Sequence, residues 1–382
     1  MTGHTPLKLG MVGGGNDAFI GAVHRIASRI DGEFNLVAGA LSSTSEKAQA
    51  SGQALGLAAE RTYDDFKAMA IREARLKDGI DAVAIVTPNH MHYPAAREFL
   101  KRGIHVLCDK PLTATLAEAK KLVKAAEQSD ALFVLTHNYT GYPMIRQARE
   151  MVAQGALGDI RVVQAEYPQD WLTEAEESQD NKQAEWRTDP ERSGAGGCVG
   201  DIGTHAFNLL SFVTGLTLES LASDLTSFVP GRRLDDNVHV MMRFQGGARG
   251  MLWSSQVAPG NENALKLRVY GPKGGLEWSQ EDPNYLWFTP FGKPKRLLTR
   301  GGTGASAMAE RVTRTPGGHP EGYLEAFANI YTEAAAAIRA KKRGEALPPD
   351  LHFPTVQDGL TGVQFIDACV RSSNRNGAWT SF

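Results

Sequence analysis

Leu7-Lys8-Leu9-Gly10-Met11-Val12-Gly13-Gly14-Gly15, followed by Ile20-Gly21-Ala22-Val23-His24-Arg25-Ile26-Ala27, is the stretch that decides the fold. Its first six residues read as a short strand, the three glycines as a tight turn and the run from Ile20 as the start of a helix. Strand, glycine turn and helix in that order form the phosphate-binding turn of a doubly wound α/β sheet. Gly13 permits the turn, Gly15 lets backbone approach a pyrophosphate, and a third glycine lets the helix pack closely with its N-terminus toward the phosphates. The third glycine is expected where Ala18 stands, and the next one is Gly21, so the spacing predicts a three-residue insertion in the loop. Gly13, Gly15 and Asn16 are candidate cofactor contacts.

Working outward, residues 35–41 form a second strand, after which the acid that usually holds an adenosine ribose is missing. Ser42-Ser43-Thr44-Ser45-Glu46-Lys47 stands there instead, so Ser42, Ser43 and Lys47 become the ribose-side candidates and the choice between NAD and NADP is open. The same hydroxyls suit the cap of a helix over residues 46–55. Residues 81–86 read as a strand buried on both faces, ending in Thr87-Pro88-Asn89-His90-Met91-His92. Polar residues there suit a cofactor crevice, which makes Thr87, Pro88, Asn89 and His92 candidates; taken singly, His90 and His92 read as capping or exposed side chains. The apolar run Ile104-His105-Val106-Leu107 closes in Cys108-Asp109-Lys110-Pro111. Pro111 fixes its own φ and biases Lys110 away from helix, so an ammonium is held at a corner on the carboxyl end of a strand. Thr115-Leu116-Ala117-Glu118 has the form of a capping box, and residues 132–135 give a fifth strand before Thr136-His137-Asn138-Tyr139. Strands alternating with amphipathic helices predict a parallel sheet over residues 1–137, with Asp109, Lys110 and Asn138 at its cofactor edge.

Over residues 138–382 the pattern changes. A helix is expected from about Tyr142 to Gln154, followed by runs of period-two alternation. In residues 237–244 the set Val238, Val240, Met242, Phe244 alternates with Asn237, His239, Met241, Arg243. Similar patterns over 161–167, 250–254, 265–270 and 276–278, mostly without intervening helices, predict a large, mainly antiparallel open sheet. One of its faces must be covered by helices or by another subunit. Gly200-Asp201-Ile202-Gly203-Thr204-His205-Ala206-Phe207-Asn208 reads as a helix with Ile202, Ala206, Leu209 and Val213 on one stripe and Asp201, His205 and Asn208 on another. Asp201 and His205, at i and i+4, make a carboxylate beside an imidazole, the pairing that general acid–base chemistry near neutral pH requires. The alternative is Asp201 as a helix N-cap with His205 as a surface partner. Trp171, Trp186 and Arg187 lie on the long polar segment 170–192. Tryptophan faces stack on sugar C–H surfaces, while Arg187, Arg192, Arg232 or Arg233 could read an anionic substituent; loop anchoring is the alternative for the tryptophans. Tyr139 joins the substrate-side candidates, as does His319, which with Glu321 opens a helix carrying Leu324, Phe327, Tyr331, Ala334 and Ile338.

Composition narrows the partner. The 382 residues are 42% hydrophobic and 22% charged with a formal net charge of -2, which gives no electrostatic reason for nucleic acid or an anionic membrane and favours a small molecule. Cys108, Cys198 and Cys369 lack metal-ligand spacing and cannot all pair, so neither a metal site nor a disulfide framework is indicated. Residues 1–6 carry no signal-peptide pattern, and a cytoplasmic protein is expected.

Together the glycine turn, Thr87-Pro88-Asn89 with His92, Asp109-Lys110-Pro111 and Gly200-Asp201-Ile202-Gly203-Thr204-His205 resemble the glucose-fructose oxidoreductase and inositol dehydrogenase family, often written Gfo/Idh/MocA. The resemblance spans nearly the full chain. It implies a Rossmann domain followed by an α/β domain with a large open sheet, a tightly held NAD or NADP, and hydride transfer to or from a sugar or cyclitol carbon. It further implies that Lys110, Asp201 and His205 are the catalytic group, with Asp109 replacing the family's usual glutamate, and by analogy a homodimer or homotetramer. Two other outcomes are compatible with these residues. One is an NAD-dependent glycosidase, which would release aglycone without net NADH, and the other a non-catalytic dinucleotide-binding protein, which would bind cofactor without turnover.

Overall fold

The computed structural model describes residues 5–16 and 18–382; of residues 1–6, on which the signal-peptide reading rests, the first four lie outside them. The chain forms two compact units, one of Met1–Asn138 with Tyr323–Leu360, the other of Tyr139–Gly322 with Thr361–Phe382.

The first unit is built on a five-stranded parallel sheet in the order β2-β1-β3-β4-β5. Its strands are β1 (Leu7–Gly13), β2 (Phe34–Ala40), β3 (Ala82–Val86), β4 (His105–Cys108) and β5 (Phe133–Leu135). All five residues of β3 are buried, as the unbroken apolar run requires of a strand covered on both faces. Between the strands run α1 (Phe19–Ile30), α2 (Ser45–Ala54), α3 (Phe66–Glu73), α4 (His92–Leu100) and α5 (Leu116–Glu127). The predicted capping box opens α5: Thr115 accepts from the Glu118 amide at 3.3 Å and donates to the Glu118 carboxylate at 3.1 Å. Register aligns the strand exits, with Gly13 opposite Val86, Ile85 opposite Cys108 and Cys108 opposite Leu135. The glycine turn, Thr87, Asp109 and Thr136 therefore share the carboxyl edge, where the strand order reverses and open α/β sheets bind ligands.

The helix Tyr323–Lys342 belongs to this unit, which a single division after residue 137 does not anticipate. The cause is packing. Tyr331 meets Phe34 edge-on with ring centroids 5.5 Å apart, and its hydroxyl lies 2.7 Å from Nδ1 of the buried His24. Phe327 closes on the same histidine ring at 4.9 Å. Each large side chain buried in this layer contributes roughly 1.5–3 kcal/mol.

The second unit carries a nine-stranded sheet. In sequence its strands are β6 (Val162–Pro168), β7 (Leu218–Thr226), β8 (Asn237–Phe244), β9 (Arg249–Ser255), β10 (Lys266–Gly271), β11 (Gly274–Ser279), β12 (Tyr285–Pro290), β13 (Arg296–Thr299) and β14 (Thr380–Ser381). Their spatial order is β13-β12-β11-β10-β6-β9-β8-β7-β14, and every pair is antiparallel except β6 with β9. The alternation over 237–244 is realised: Val238, Val240, Met242 and Phe244 are buried while Met241 is 54% exposed. Four further elements complete the part of this unit that matters below: α6 (Pro143–Ala153), the short α7 (Lys182–Arg187) and α8 (Pro190–Ser193), and α9 (Thr204–Thr214). Helices α6 and α9 lie on the inner face of the sheet, and the opposite face is open. Among the described residues no helix is long and apolar enough to cross a membrane.

Candidate active site

At the exit of β1, Gly13 and Gly14 take φ values of 78° and 70°, which L-residues rarely adopt. A Cβ on Gly13 would lie 2.9 Å from the Thr87 methyl and from the Val86 carbonyl, so the turn presses against the exit of β3. Gly21 falls in the first turn of α1, where a Cβ would lie 2.4 Å from Gly14 Cα. The displaced third glycine thus lets the helix close on the turn. Gly15 is crowded by protein too, since its Cβ would meet the Leu41 carbonyl and the Ser51 hydroxyl at 2.7 Å. The adjacent Asn16 amide donates to that hydroxyl at 3.1 Å. Ala18, which precedes the twelve-residue α1, makes no side-chain cap hydrogen bond, and the helix N-terminus follows directly on the glycine turn. Beyond β2, Ser42 is half-buried and Ser43 and Lys47 are exposed. The expected hydroxyl cap is not made: α2 begins at Ser45 and Thr44 forms no cap hydrogen bond.

The lysine corner is fixed by its neighbours. The Asp109 amide donates to the Ile85 carbonyl at 2.9 Å, and the Thr136 amide donates to the Cys108 carbonyl at 2.9 Å, which ties the exit of β4 to those of β3 and β5. Asp109 Oδ1 accepts from the Lys110 amide at 2.9 Å and from the Thr136 hydroxyl at 3.1 Å; the Lys110–Pro111 peptide is cis. His92 is fully buried rather than exposed or capping, with Nδ1 2.8 Å from the Pro111 carbonyl and Nε2 2.9 Å from the Thr87 carbonyl. Burial lowers its pKa while the two carbonyls raise it, and the ring lies wedged between the exit of β3 and the residue after Lys110, donating to at least one of these oxygens. His137, which sequence reasoning passes over, is buried and pulled down to about 3 by burial and by the charge of Lys110. Asn89 and Asn138 are buried at the same edge. Thr87 Oγ1, His90 Nδ1 and Asn138 Nδ2 are buried there without hydrogen-bond partners among the described residues. Such polar atoms fit the amide and hydroxyl groups of a dinucleotide's nicotinamide half.

In the second unit, residues 199–203 form a π-helical turn that runs into α9. Ile202, Ala206, Leu209 and Val213 are buried, as the helical stripe predicts. Asp201 lies inside the π turn and His205 in the first turn of α9, so a π-to-α transition joins them, and Asp201 is not the N-cap of α9. Its Oδ2 accepts from Gln256 Nε2 at 2.9 Å and pairs with Arg187 Nε at 3.4 Å. His205 is 7% exposed and not a surface residue; Tyr139 meets its ring edge-on at 4.8 Å. The Tyr139 hydroxyl bonds that of Tyr167, which donates to Asn263 Oδ1 at 2.7 Å. Gln169 donates to the same oxygen at 2.7 Å and accepts from Trp171 Nε1 at 3.1 Å.

The Arg187 guanidinium lies 4.3 Å from the Trp186 ring and 6.0 Å from that of Trp171, so Trp171, Trp186, Arg187 and Asp201 form one cluster. The remaining arginines are committed elsewhere. Arg232 is buried against Glu177 and Asp236, Arg233 pairs with Asp189 and Arg192 with Glu185. His319 is exposed in a turn, its Nδ1 3.3 Å from the Pro316 carbonyl. Glu321 is a buried partner of Arg300 at 3.0 Å that also accepts from the Arg314 and Thr315 amides, a structural role. Gln256 and Asn263 carried no sequence signal, because their partners are remote in the chain.

Residues 7–137 match the oxidoreductase family with an NAD-binding Rossmann fold, and residues 145–277 match the GFO/IDH/MocA C-terminal domain. An uncharacterized oxidoreductase, YfiI of Bacillus subtilis, is 36% identical over 99% of this chain and 97% of its own length. The crystal structure of an oxidoreductase from Sinorhizobium meliloti is 66% identical with a TM-score of 0.91, covering 99% of this chain and 100% of that one. An inositol dehydrogenase homolog from Azotobacter vinelandii, complexed with NADH and myo-inositol, is 37% identical with a TM-score of 0.93, covering 99% and 98%. With both of its parts matched and its full length shared, this chain belongs to the Gfo/Idh/MocA family of oxidoreductases and is an NAD(P)-dependent, dehydrogenase-like enzyme.

Proposed function

We propose that this enzyme oxidises a secondary carbinol of a sugar or cyclitol with NAD as cofactor, using Lys110, Asp201 and His205. The observation that carries the reading is the lysine corner, braced by His92 and Asp109 at the carboxyl edge of the sheet, in a chain whose family motif continues at Asp201 and His205. The Azotobacter vinelandii homolog, complexed with NADH and myo-inositol, supports both the cofactor and the substrate class.

The N-terminus of α1 and the Gly13-Gly14-Gly15 turn would hold the diphosphate, Ser42, Ser43 and Lys47 the adenosine ribose, and Thr87, Pro88, Asn89 and Asn138 the nicotinamide half. When bound, the nicotinamide takes a hydride from the substrate carbon or returns it. His205 accepts the carbinol proton on a ring nitrogen, and Asp201, held by Gln256 and Arg187, supports the charge that the imidazole gains. The Lys110 ammonium stabilises the developing alkoxide. Trp171, Trp186 and Tyr139 supply faces for the ring of the substrate. The open sheet face, with Val162, Met241 and Met251 exposed, is assigned to self-association as a homodimer or homotetramer in the cytoplasm.

The test is a panel of cyclitols, free sugars, acidic sugars and their glycosides with NAD and with NADP, reading absorbance and products together. Net NADH with an oxidised polyol supports the reading. Aglycone release without net NADH, or NADH binding with no turnover across the panel, overturns it.

A further inference from the structure

The start of the helix that carries Asp201 and His205 is held by one residue from a distant loop. The Gly197 amide donates to Asp235 Oδ1 at 2.7 Å, the Val199 amide to Asp235 Oδ2 at 2.8 Å, and the Cys198 amide between them to the Asp235 carbonyl at 2.7 Å. Three consecutive N–H groups thus end on a single residue that is 9% exposed. The approach leaves no room for a side chain, since a Cβ on Gly197 would lie 2.2 Å from the Asp235 carbonyl oxygen. One turn on, the Asp201 amide donates to the Gly197 carbonyl at 2.8 Å.

The same loop reaches Asp201 by a second route. The Asp236 carbonyl accepts from the Gln256 amide at 2.8 Å, and the Gln256 side chain donates to Asp201 Oδ2. Arg232, four residues before Asp236, donates to the Leu172 and Glu174 carbonyls at 2.9 Å and so fixes the segment that follows Trp171.

A π turn at a helix start needs such a partner. Its hydrogen-bond pattern takes up one more residue than the α-helix that continues from it, and left to itself the backbone would run on in the tighter α geometry. Fixing its first N–H groups from outside sets the phase at which Asp201 and His205 emerge.

We infer that Asp235 is a positioning residue for catalysis, clamping residues 197–199 so that the π turn presents Asp201 and His205 in their working orientation. This rests on the reading of Asp201 and His205 given above. It adds a residue that touches neither substrate nor cofactor.

The test compares wild type with Asp235→Asn, which keeps the shape but places an amide donor where an N–H needs an acceptor, and with Asp235→Glu, which keeps the carboxylate. Turnover with NAD is measured on the substrate found in the panel, NADH binding by fluorescence titration, and amide exchange of residues 194–204 by mass spectrometry. Asp235→Asn is expected to lower kcat about 10²-fold, the scale of a small misplacement transmitted from outside the chemistry, with KM and NADH affinity within about threefold of wild type. Exchange protection at 197–201 falls in parallel, and Asp235→Glu recovers part of kcat. Wild-type kcat in Asp235→Asn alongside dead Lys110→Ala and His205→Ala variants overturns the inference and spares the reading beneath it. Equal losses in kcat, NADH affinity and thermal stability also overturn it, because they mark a merely structural role. Undiminished turnover in Lys110→Ala and His205→Ala overturns the underlying reading, and the exchange data then judge the clamp alone.

Discussion

The lysine corner and the start of the Asp201–His205 helix hold their polar groups by opposite means. Lys110 sits among strand exits that register already aligns, so its braces come from adjacent elements: Asp109 beside it, Thr136 at the exit of β5 and His92 at the start of α4. Asp201 stands on a helix whose start is clamped by Asp235 and whose carboxylate is held by Gln256 and Arg187, partners from separate segments of the chain. A parallel sheet places functional groups through its topology, and little further is needed. The antiparallel unit has no common strand exit to exploit and must place them through long-range hydrogen bonds.

The largest expected effects test whether both halves serve one reaction. Lys110→Ala and His205→Ala should each lower kcat by about 10²–10⁴-fold, the range for removing a proton-transfer or charge-stabilising group, while NADH binding persists. Wild-type turnover in either variant would break the comparison at its root.

Acid should separate the units next. His24 titrates at about 4 and His137 at about 3 in the folded first unit, both depressed by burial below the ordinary 6.5. The unfolded chain therefore binds protons first, and the stability these groups contribute is full above about pH 6.5 and lost as pH falls toward 4, by about 3 kcal/mol for His24 alone. Asp235 in the second unit runs the other way. Burial raises it to about 6, so its contribution improves as pH falls from 6 toward the ordinary 3.8. Amide exchange at pH 7 and pH 4.5, corrected for intrinsic rates, should show α1 losing protection before α9. Equal loss in both helices would remove the contrast.

Smaller effects sharpen the local picture. His92→Phe removes the ring N–H that donates to the Thr87 or Pro111 carbonyl and should lower kcat about tenfold while costing about 1–3 kcal/mol of stability, read by steady-state kinetics and urea unfolding. Asp109→Glu restores the carboxylate usual in the family and keeps an acceptor beside the Lys110 amide. Its kcat should stay within about threefold of wild type, since the corner is held by backbone as well as by this side chain.

Much of the first unit was legible because its signals are local. The run 81–86, the glycine turn and the Thr115 cap each specify their own backbone, and β3, Gly13 with Gly14, and α5 follow. Residue type singled out Lys110, Asp201 and His205 as candidates, but the setting of each was not legible. Arg232, one of the candidate anion readers, proved to be a buried strut, and His92 a brace instead of an exposed ring, because neither fate is encoded within a few residues of its position.

By itself the sequence determined the alternation of strand and helix, the glycine turn, the lysine corner and the period-two sheet, since backbone preference and burial pattern act over a few residues. Only the tertiary structure decided that the helix from Tyr323 returns to the first unit, that the parallel pair β6–β9 sits inside an otherwise antiparallel sheet, and that Asp201 opens on a π turn. Each of these depends on a partner dozens to hundreds of residues away, Tyr331 on His24 and residues 197–199 on Asp235 among them, and such a partner is chosen only when the chain has closed on itself.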